Sequence, residues 1–307
     1  MRILVAYDGS QGSQQALALA DALALPPGSS IRVVLVVEPA MAALGPSGMP
    51  GALIPSPALD EALMAAQRAD VDAVAQTLKR ADRTAEGAVI IGRPASVLVD
   101  EPARFRADLV VVGSRGHGPI ASLVLGSVSS EVSDHAPCPV LIARTPSITK
   151  ILFATDGSEA SAAAEAMLGS WSSFDGRAVR VVSVADVVAP WHTGIAPMMH
   201  ADVAAAQAEV VEAAQAEHSR IAEDAAVRLR AAGRAVETRL RTGDAAGEII
   251  SEADDLGADL IVVGSRGRTG LARLVLGSVA RNVLHGSRAS VLVVHAPAHA
   301  ESQAASD

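Results

Sequence analysis

The run Gly113-Ser114-Arg115-Gly116, followed after nine residues by Gly126-Ser127, returns 151 positions later as Gly264-Ser265-Arg266-Gly267, nine residues and Gly277-Ser278. Glycines at a strand-to-helix connection expose peptide N–H groups and let backbone approach a ligand without a Cβ in the way, which suits an anionic group. The repetition reads as a tandem duplication carrying two phosphate sites. A chain of 307 residues is long for one core and suits two domains of about 150 residues. Boundaries are predicted at 1–145 and 150–296, with Thr145 to Thr149 as linker and a polar tail from Ala296 to Asp307.

The pattern between the glycine runs alternates strand and helix. Arg2 to Tyr7 is an apolar run that ends in Asp8-Gly9-Ser10, after which Ala16, Leu17, Leu19, Ala20 and Leu23 recur at helical spacing. Ile31 to Val37 is continuous and rich in β-branched residues, as in a parallel strand covered on both faces. Pro39 to Pro57 carries five prolines and reads as a loop, a candidate lid or partner surface, before an alanine-rich helix from about Ala58 to Ala81. Strands near Ala85 to Ile91, Asp108 to Gly113 and Val140 to Ala143 then alternate with helices near Pro94 to Arg104 and Ser127 to His135.

The second half repeats these steps. Its offset is 148 at Asp8/Asp156 and 151 from Gly92/Gly243 onward, so the difference falls in the middle loops, where insertions are tolerated. The expected fold is α/β: two tandem doubly wound domains, each a five-stranded parallel sheet of order 3-2-1-4-5 with helices on both faces. Ligands of such sheets sit outside the strand C-termini where the winding reverses. With strands one and four as neighbours there, Asp8 faces the same crevice as Gly113, and Asp156 the same as Gly264.

Composition narrows the function classes. A net charge of −9 and only six aromatic residues argue against nucleic acid as a partner, since neither counterion release nor base stacking is provided for. Apolar runs fall far short of the roughly 20 residues a membrane span needs. The opening Met1-Arg2-Ile3-Leu4-Val5 enters a strand directly, and the single cysteine, Cys138, forms no internal disulfide; together they point to a cytoplasmic protein. Cys138 reads as a small buried apolar residue.

At this point the residues resemble a known family. Ile3 to Ser10 and Ile151 to Ser158 are similar to the opening strand and turn of the universal stress proteins, and the Gly-x2-Gly-x9-Gly-Ser pattern matches the ATP-binding branch of that family. The resemblance covers nearly the whole chain as two copies. It implies that Asp8 and Asp156 lie near ribose and adenine and that the backbone at Val36 and Val184 recognises adenine. It further implies that Gly113, Gly116, Gly126 and Ser127, with Gly264, Gly267, Gly277 and Ser278, cradle ribose and phosphate. The neighbouring Ala6, Ser114, Arg115, His117 and Val128 complete the first candidate site, and Ala154, Ser265, Arg266, Arg268 and Val279 the second.

Each residue also has a plainer structural reading. Asp8 and Asp156 suit the organisation of a turn into a helix, a glycine pair permits a tight turn, and Ser127 suits an N-cap. Arg115, Arg266, His117 and Arg268 either offset phosphate charge or stay solvated. Pro119 stiffens the first copy's loop, which in the second runs on through Leu271 without a proline, and makes the sites unequal. All the elements together, twice, point to a ligand.

Missing chemistry matters as well. The only lysines, Lys79 and Lys150, follow no glycine, so there is no Walker P-loop, and no Gly-x-Ser-x-Gly elbow appears. The eight histidines form no ligand cluster, and His295 and His299, though spaced like metal ligands, sit at the tail. The expectation is an ATP-binding regulator of stress response or growth state, Mg2+ riding on the phosphates, with little or no hydrolysis. An ATP-hydrolysing or nucleotidyl-transferring enzyme is the alternative, and a scaffold that uses the fold only for docking a third reading. The edge strands Val140 to Ala143 and Val291 to Val294 need covering. By the resemblance the two halves pair there within one chain as a pseudo-dimer, with a further homodimer and an unidentified regulatory protein as other partners.

Overall fold

A computed structural model of the chain describes residues 1–38, 57–116, 125–186, 201–267 and 276–296. The chain forms two compact units, one built on Met1–Ile148 and the other on the residues from Thr149 onward. In the first unit the order is β1 (Arg2–Tyr7), α1 (Gln11–Ala22), β2 (Ser29–Val37), α2 (Pro57–Thr77), β3 (Arg83–Ile91), α3 (Pro94–Phe105), β4 (Leu109–Gly113), α4 (Ser127–His135) and β5 (Val140–Ala143). The second has β6 (Lys150–Ala154), α5 (Glu159–Ser170), β7 (Ala178–Ala185), α6 (Ala201–Ala231), β8 (Ala235–Thr242), α7 (Ala245–Leu256), β9 (Leu260–Gly264), α8 (Ser278–Gly286) and β10 (Ser290–Val294).

The first unit's strands lie in the order β3-β2-β1-β4-β5 and the second's in the matching order β8-β7-β6-β9-β10. Pairing is parallel, with Ile3 opposite Ile31 on one side and Leu109 on the other, and Ile151 opposite Val179 and Leu260. The doubly wound α/β expectation holds in both copies. The winding reverses between β1 and β4, and between β6 and β9, where Asp8 and Asp156 leave their strands.

Burial explains why these segments are strands. Ile3, Leu4, Val5, Leu109, Val110 and Val111 are inaccessible to solvent, so neither face of the central strands can carry a polar residue. Each such side chain contributes roughly 1.5–3 kcal/mol of burial. α1 presents Ala16, Leu19 and Ala20 to the sheet and starts where Ser10 Oγ accepts the N–H of Ser13 at 3.2 Å. α5 starts identically, Ser158 Oγ accepting from Ser161 at 3.3 Å.

α2 stops at Thr77, four residues short of the Ala81 expected from composition. The buried Arg83 is the reason: its Nε donates to Leu78 O at 2.8 Å and its Nη2 pairs with Asp21 at 2.5 Å, drawing the chain out of the helix and starting β3 two residues early. Arg234, its counterpart in the second copy, is also buried but fastens the end of α5 instead, donating to Trp171 O at 2.8 Å and pairing with Asp175. No helix among the described residues is long and apolar enough to cross a membrane. The proline-rich 39–56 segment, Pro119, Leu271, His299 and the tail from 297 lie outside the described residues.

Candidate functional site

The three strand ends that meet at the first unit's reversal point enclose a cleft of about 670 Å³. Val36 and Glu38 stand at the end of β2, Ala6, Tyr7 and Asp8 at the end of β1, Gly113 at the end of β4, and Arg115 and Gly116 just past it. Gly126, Ser127, Val128 and Ser129 supply the last wall from the start of α4. Val34, Pro94, Leu98, Val112 and Leu125 line the same space, so the walls between the polar rims are aliphatic. From β2 to β4 the strand ends present Val34, Val36 and Glu38, then the Asp8 carboxylate, then the Gly113–Gly116 loop.

Asp8 does two jobs at once. Its Oδ1 accepts the N–H of Ser10 at 3.0 Å and its hydroxyl at 2.5 Å, which closes the Asp-Gly-Ser turn. Its Oδ2 points to the Gly-rich loop, where a Cβ built on Gly116 would lie 2.7 Å from it. Asp156 repeats this: Oδ1 accepts from Ser158 N–H at 3.0 Å, and Oδ2 lies 2.8 Å from where Gly267 would carry a Cβ. The turn-organising reading and the site reading therefore belong to different oxygens of one carboxylate.

The motif glycines separate by the neighbour that demands them. A Cβ on Gly113 would collide with the backbone of Gly12 at the start of α1, and one on Gly264 would come within 2.7 Å of Ser161 N. These first glycines serve helix-on-strand packing. At Gly126 the nearest atoms to a Cβ would be 3.5 Å away and the backbone is extended (φ −66°), so nothing in the protein requires glycine there. Its bare Cα instead leaves room at the mouth of α4.

Gly126 and Gly277 are the N-caps of α4 and α8, and neither helix has a side-chain cap. Ser127 and Ser278 follow as exposed first-turn residues. Four N–H groups open each helix without an intrahelical acceptor, the positive end of the helix dipole. Gly126 N–H is committed to Ser114 O at 2.9 Å and Gly277 N–H to Ser265 O at 2.8 Å, which folds each loop back over its helix start. Ser114 is buried and Ser265 likewise, so both fix the loop from behind. Ser129 Oγ donates to Gly113 O at 2.7 Å, anchoring α4 to the end of β4.

In the second copy Ala154 and Val184 are buried at the ends of β6 and β7, Val279 is half exposed on the first turn of α8, and Arg266 O accepts from Ser158 Oγ at 3.1 Å. His117 and Arg268 lie outside the described residues. Cys138 is partly buried, and burial first, then the charge of Asp108, pushes its thiol up to about 12.

The universal stress protein family model matches the chain twice, over residues 1–144 and 147–295. The chain belongs to the universal stress protein family. A universal stress protein of Thermus aquaticus is 40% identical over 145 residues, 46% of this chain and 97% of its own. One of Mycobacterium tuberculosis is 33% identical over 203 residues, 61% of each chain. Over 96% of both chains, the crystal structure of a universal stress protein from Archaeoglobus fulgidus superposes with a TM-score of 0.64 at 19% identity, a likeness of fold. The tandem arrangement of two universal stress domains is thus established.

Among the lining residues of the first cleft that sequence reasoning missed are Tyr7, Ser13, Glu38, Pro94, Leu98 and Ser129. Glu38 stands two residues beyond Val36, and the alternation of strand side chains, which puts Val34, Val36 and Glu38 on one face, is the signal that would have found it. Pro94 and Leu98 come from α3, and no local pattern ties that helix to the crevice. Partial burial first, then the Asp70 carboxylate and the charge of Asp8, raise the Tyr7 phenol above its ordinary value.

Proposed function

We propose that this protein binds adenine nucleotide, ATP with Mg2+ on its phosphates, once in each unit, and acts as a nucleotide-dependent regulator of stress response or growth state. The supporting observation is the order of groups across the first cleft. Aliphatic walls and the β2 end suit a flat base, the Asp8 carboxylate suits sugar hydroxyls, and the Gly113–Gly116 loop with the uncapped start of α4 suits phosphate. The closeness of Gly116 to Asp8 fits a cradle that no side chain can fill. The second copy repeats the carboxylate, the loop and the uncapped helix.

Hydrolysis is proposed to be slow or absent. Lys150 opens β6 and Lys79 follows α2, so neither reaches the anionic end, where Arg115 is the lining cation. Bound nucleotide then acts by stabilising the liganded form, about 2.7 kcal/mol at a hundredfold excess over Kd. Among the described residues no group of three or more His, Cys, Asp or Glu could hold a metal ion, and so magnesium is assigned to the phosphates. We place the protein in the cytoplasm, with a regulatory protein as its further partner.

The test is mass spectrometry of nucleotide released from purified protein, with its stoichiometry. Two adenine nucleotides per chain are expected. Purified protein that holds none and shows no change in melting temperature with millimolar ATP overturns the reading, and brisk turnover lost in Gly116 and Gly267 variants favours the enzyme instead.

A further inference from the structure

Ser10 touches two ligand-facing parts of the first cleft from behind. It is buried, and its N–H and hydroxyl donate to Asp8 Oδ1 at 3.0 and 2.5 Å. The same hydroxyl oxygen lies 3.4 Å from Arg115 O, the carbonyl that leads into Gly116, and 3.5 Å from Ser13 Oγ. It also accepts the Ser13 N–H at 3.2 Å as the cap of α1. In the second copy Ser158 meets the same three groups: its N–H donates to Asp156 Oδ1 at 3.0 Å, its hydroxyl to Arg266 O at 3.1 Å, and its oxygen accepts the Ser161 N–H at 3.3 Å.

Capping accounts only for the last of these contacts. A cap needs a side-chain oxygen aimed at the first turn, and even glycine serves nearly as well there. The contacts to Asp8 Oδ1 and Arg115 O use the hydroxyl hydrogen instead, and each has a consequence inside the cleft. With Oδ1 held, the carboxylate keeps Oδ2 turned to Gly116, 2.7 Å from where that residue would carry a Cβ. Arg115 O presses against the place where Gly12 would carry a Cβ, so it points back at the start of α1. The C=O and N–H of one planar trans peptide point in opposite directions, and the Gly116 N–H is therefore turned away from α1.

We propose that Ser10, and Ser158 in the second copy, are positioning residues for the bound nucleotide. One hydroxyl sets two groups at a fixed separation: a carboxylate oxygen that accepts from sugar hydroxyls, and a peptide N–H that donates to phosphate. Neither serine touches the ligand. The proposal rests on the nucleotide reading given above.

The loop amides of Gly116 and Gly267 report the two copies separately in a nitrogen-15 NMR titration with ATP. Ser10→Gly, which spares most of the cap, is expected to weaken ATP about five- to tenfold as read at Gly116 and less than about twofold at Gly267, and Ser158→Gly to do the reverse. Ser10→Thr, which restores the hydroxyl, is expected to bind within about twofold of the unmodified protein. At saturating ATP the Gly116 amide is expected to exchange slowly in the unmodified chain and in Ser10→Thr, and to stay fast in Ser10→Gly. Exchange of the α1 amides, which reads the cap, is expected to be similar in all three. Unweakened binding at Gly116 in Ser10→Gly, a loss that follows α1 exchange and is not restored by threonine, or ATP that binds without moving either amide overturns the positioning role while leaving nucleotide binding intact. Unmodified protein that binds no ATP overturns both.

Discussion

Arg32 on β2 and Glu101 on α3 stand 2.9 Å apart, and the pair recurs between Arg180 on β7 and Glu252 on α7 at the same 2.9 Å. Glu101 is 8% exposed at its side chain and Glu252 1%, so each buried carboxylate relies on its arginine in place of water. Arg32 also lies 4.2 Å over the Phe105 ring, and Glu252 takes a second guanidinium, Arg241, at 2.6 Å. The pair clamps α3 against the sheet beside Pro94 and Leu98, which wall the cleft. Removing one partner strands a buried charge.

Glu252→Ala is therefore expected to destabilise the second unit by about 3 kcal/mol, because two guanidiniums, Arg180 and Arg241, lose their buried partner and keep the exposed Glu237 and Asp255. Glu101→Ala is expected to cost less, about 2 kcal/mol, since one guanidinium at that range, Arg32, is affected and it keeps Glu86. Hydrogen exchange of the α7 and α3 amides measures each locally. Unchanged exchange in both variants would show that the clamp is ornamental.

Two glycines of one motif are expected to fail in different ways. Gly113→Ala places a methyl group against backbone at the start of α1, which cannot yield cheaply, and a loss of about 1–3 kcal/mol with poorer packing of α1 is expected. Gly116→Ala meets only the end of the Asp8 side chain, which can rotate away at the expense of its site geometry. That variant is expected to melt normally and to bind ATP at least tenfold more weakly. Thermal melts and calorimetric titration separate the two, and equal stability loss in both would contradict the division.

How much of this was legible in the sequence depends on how local each cause is. The strand-helix alternation and the reversal point follow from short apolar runs and turn residues, so Asp8 and Gly113 were placed in one crevice before any contact was known. Their division of labour was not, because a glycine read alone does not say whether backbone or ligand excludes its side chain; Gly12, which decides it for Gly113, lies 101 residues away. A separation of 69 residues likewise hides Arg32–Glu101. The early end of α2 was hidden because alanine-rich sequence favours helix through Ala81, and a tertiary contact from Arg83 overrides it.

Acid is expected to weaken the second unit through Asp259. Burial opposes its ionisation, but the Thr149 hydroxyl and N–H, the Lys150 N–H at 3.0 Å and the Lys150 charge outweigh burial and hold its pKa below the ordinary carboxylate value. A depressed folded-state pKa means that the stabilisation is present above the unfolded value, near pH 4, and is lost as pH falls through the folded one. Trp171 belongs to the second unit, and in a Trp191→Phe background its fluorescence follows that unit. Urea midpoints between about pH 2 and 5 are expected to fall less steeply in Asp259→Asn than in the unmodified chain. Parallel slopes would remove Asp259 from the acid response.

Arg106 ends α3 in the left-handed conformation, φ 55° and ψ 51°, where the second copy ends α7 with Gly257 at φ 63° and ψ 48°. A side chain at such a position crowds its own backbone, whereas glycine does not. The cap bonds need only the backbone: Arg106 N–H reaches Ala103 O at 3.2 Å and Ala107 N–H reaches Pro102 O at 2.8 Å. Arg106→Gly keeps both bonds and relieves the crowding, while the unfolded chain gains some freedom that offsets part of the benefit. A net stabilisation of about 0.5–1 kcal/mol is expected, read as slower exchange of the last α3 amides, with ATP binding unchanged. Faster exchange there would mean that the arginine side chain, and not the backbone turn, holds the end of α3.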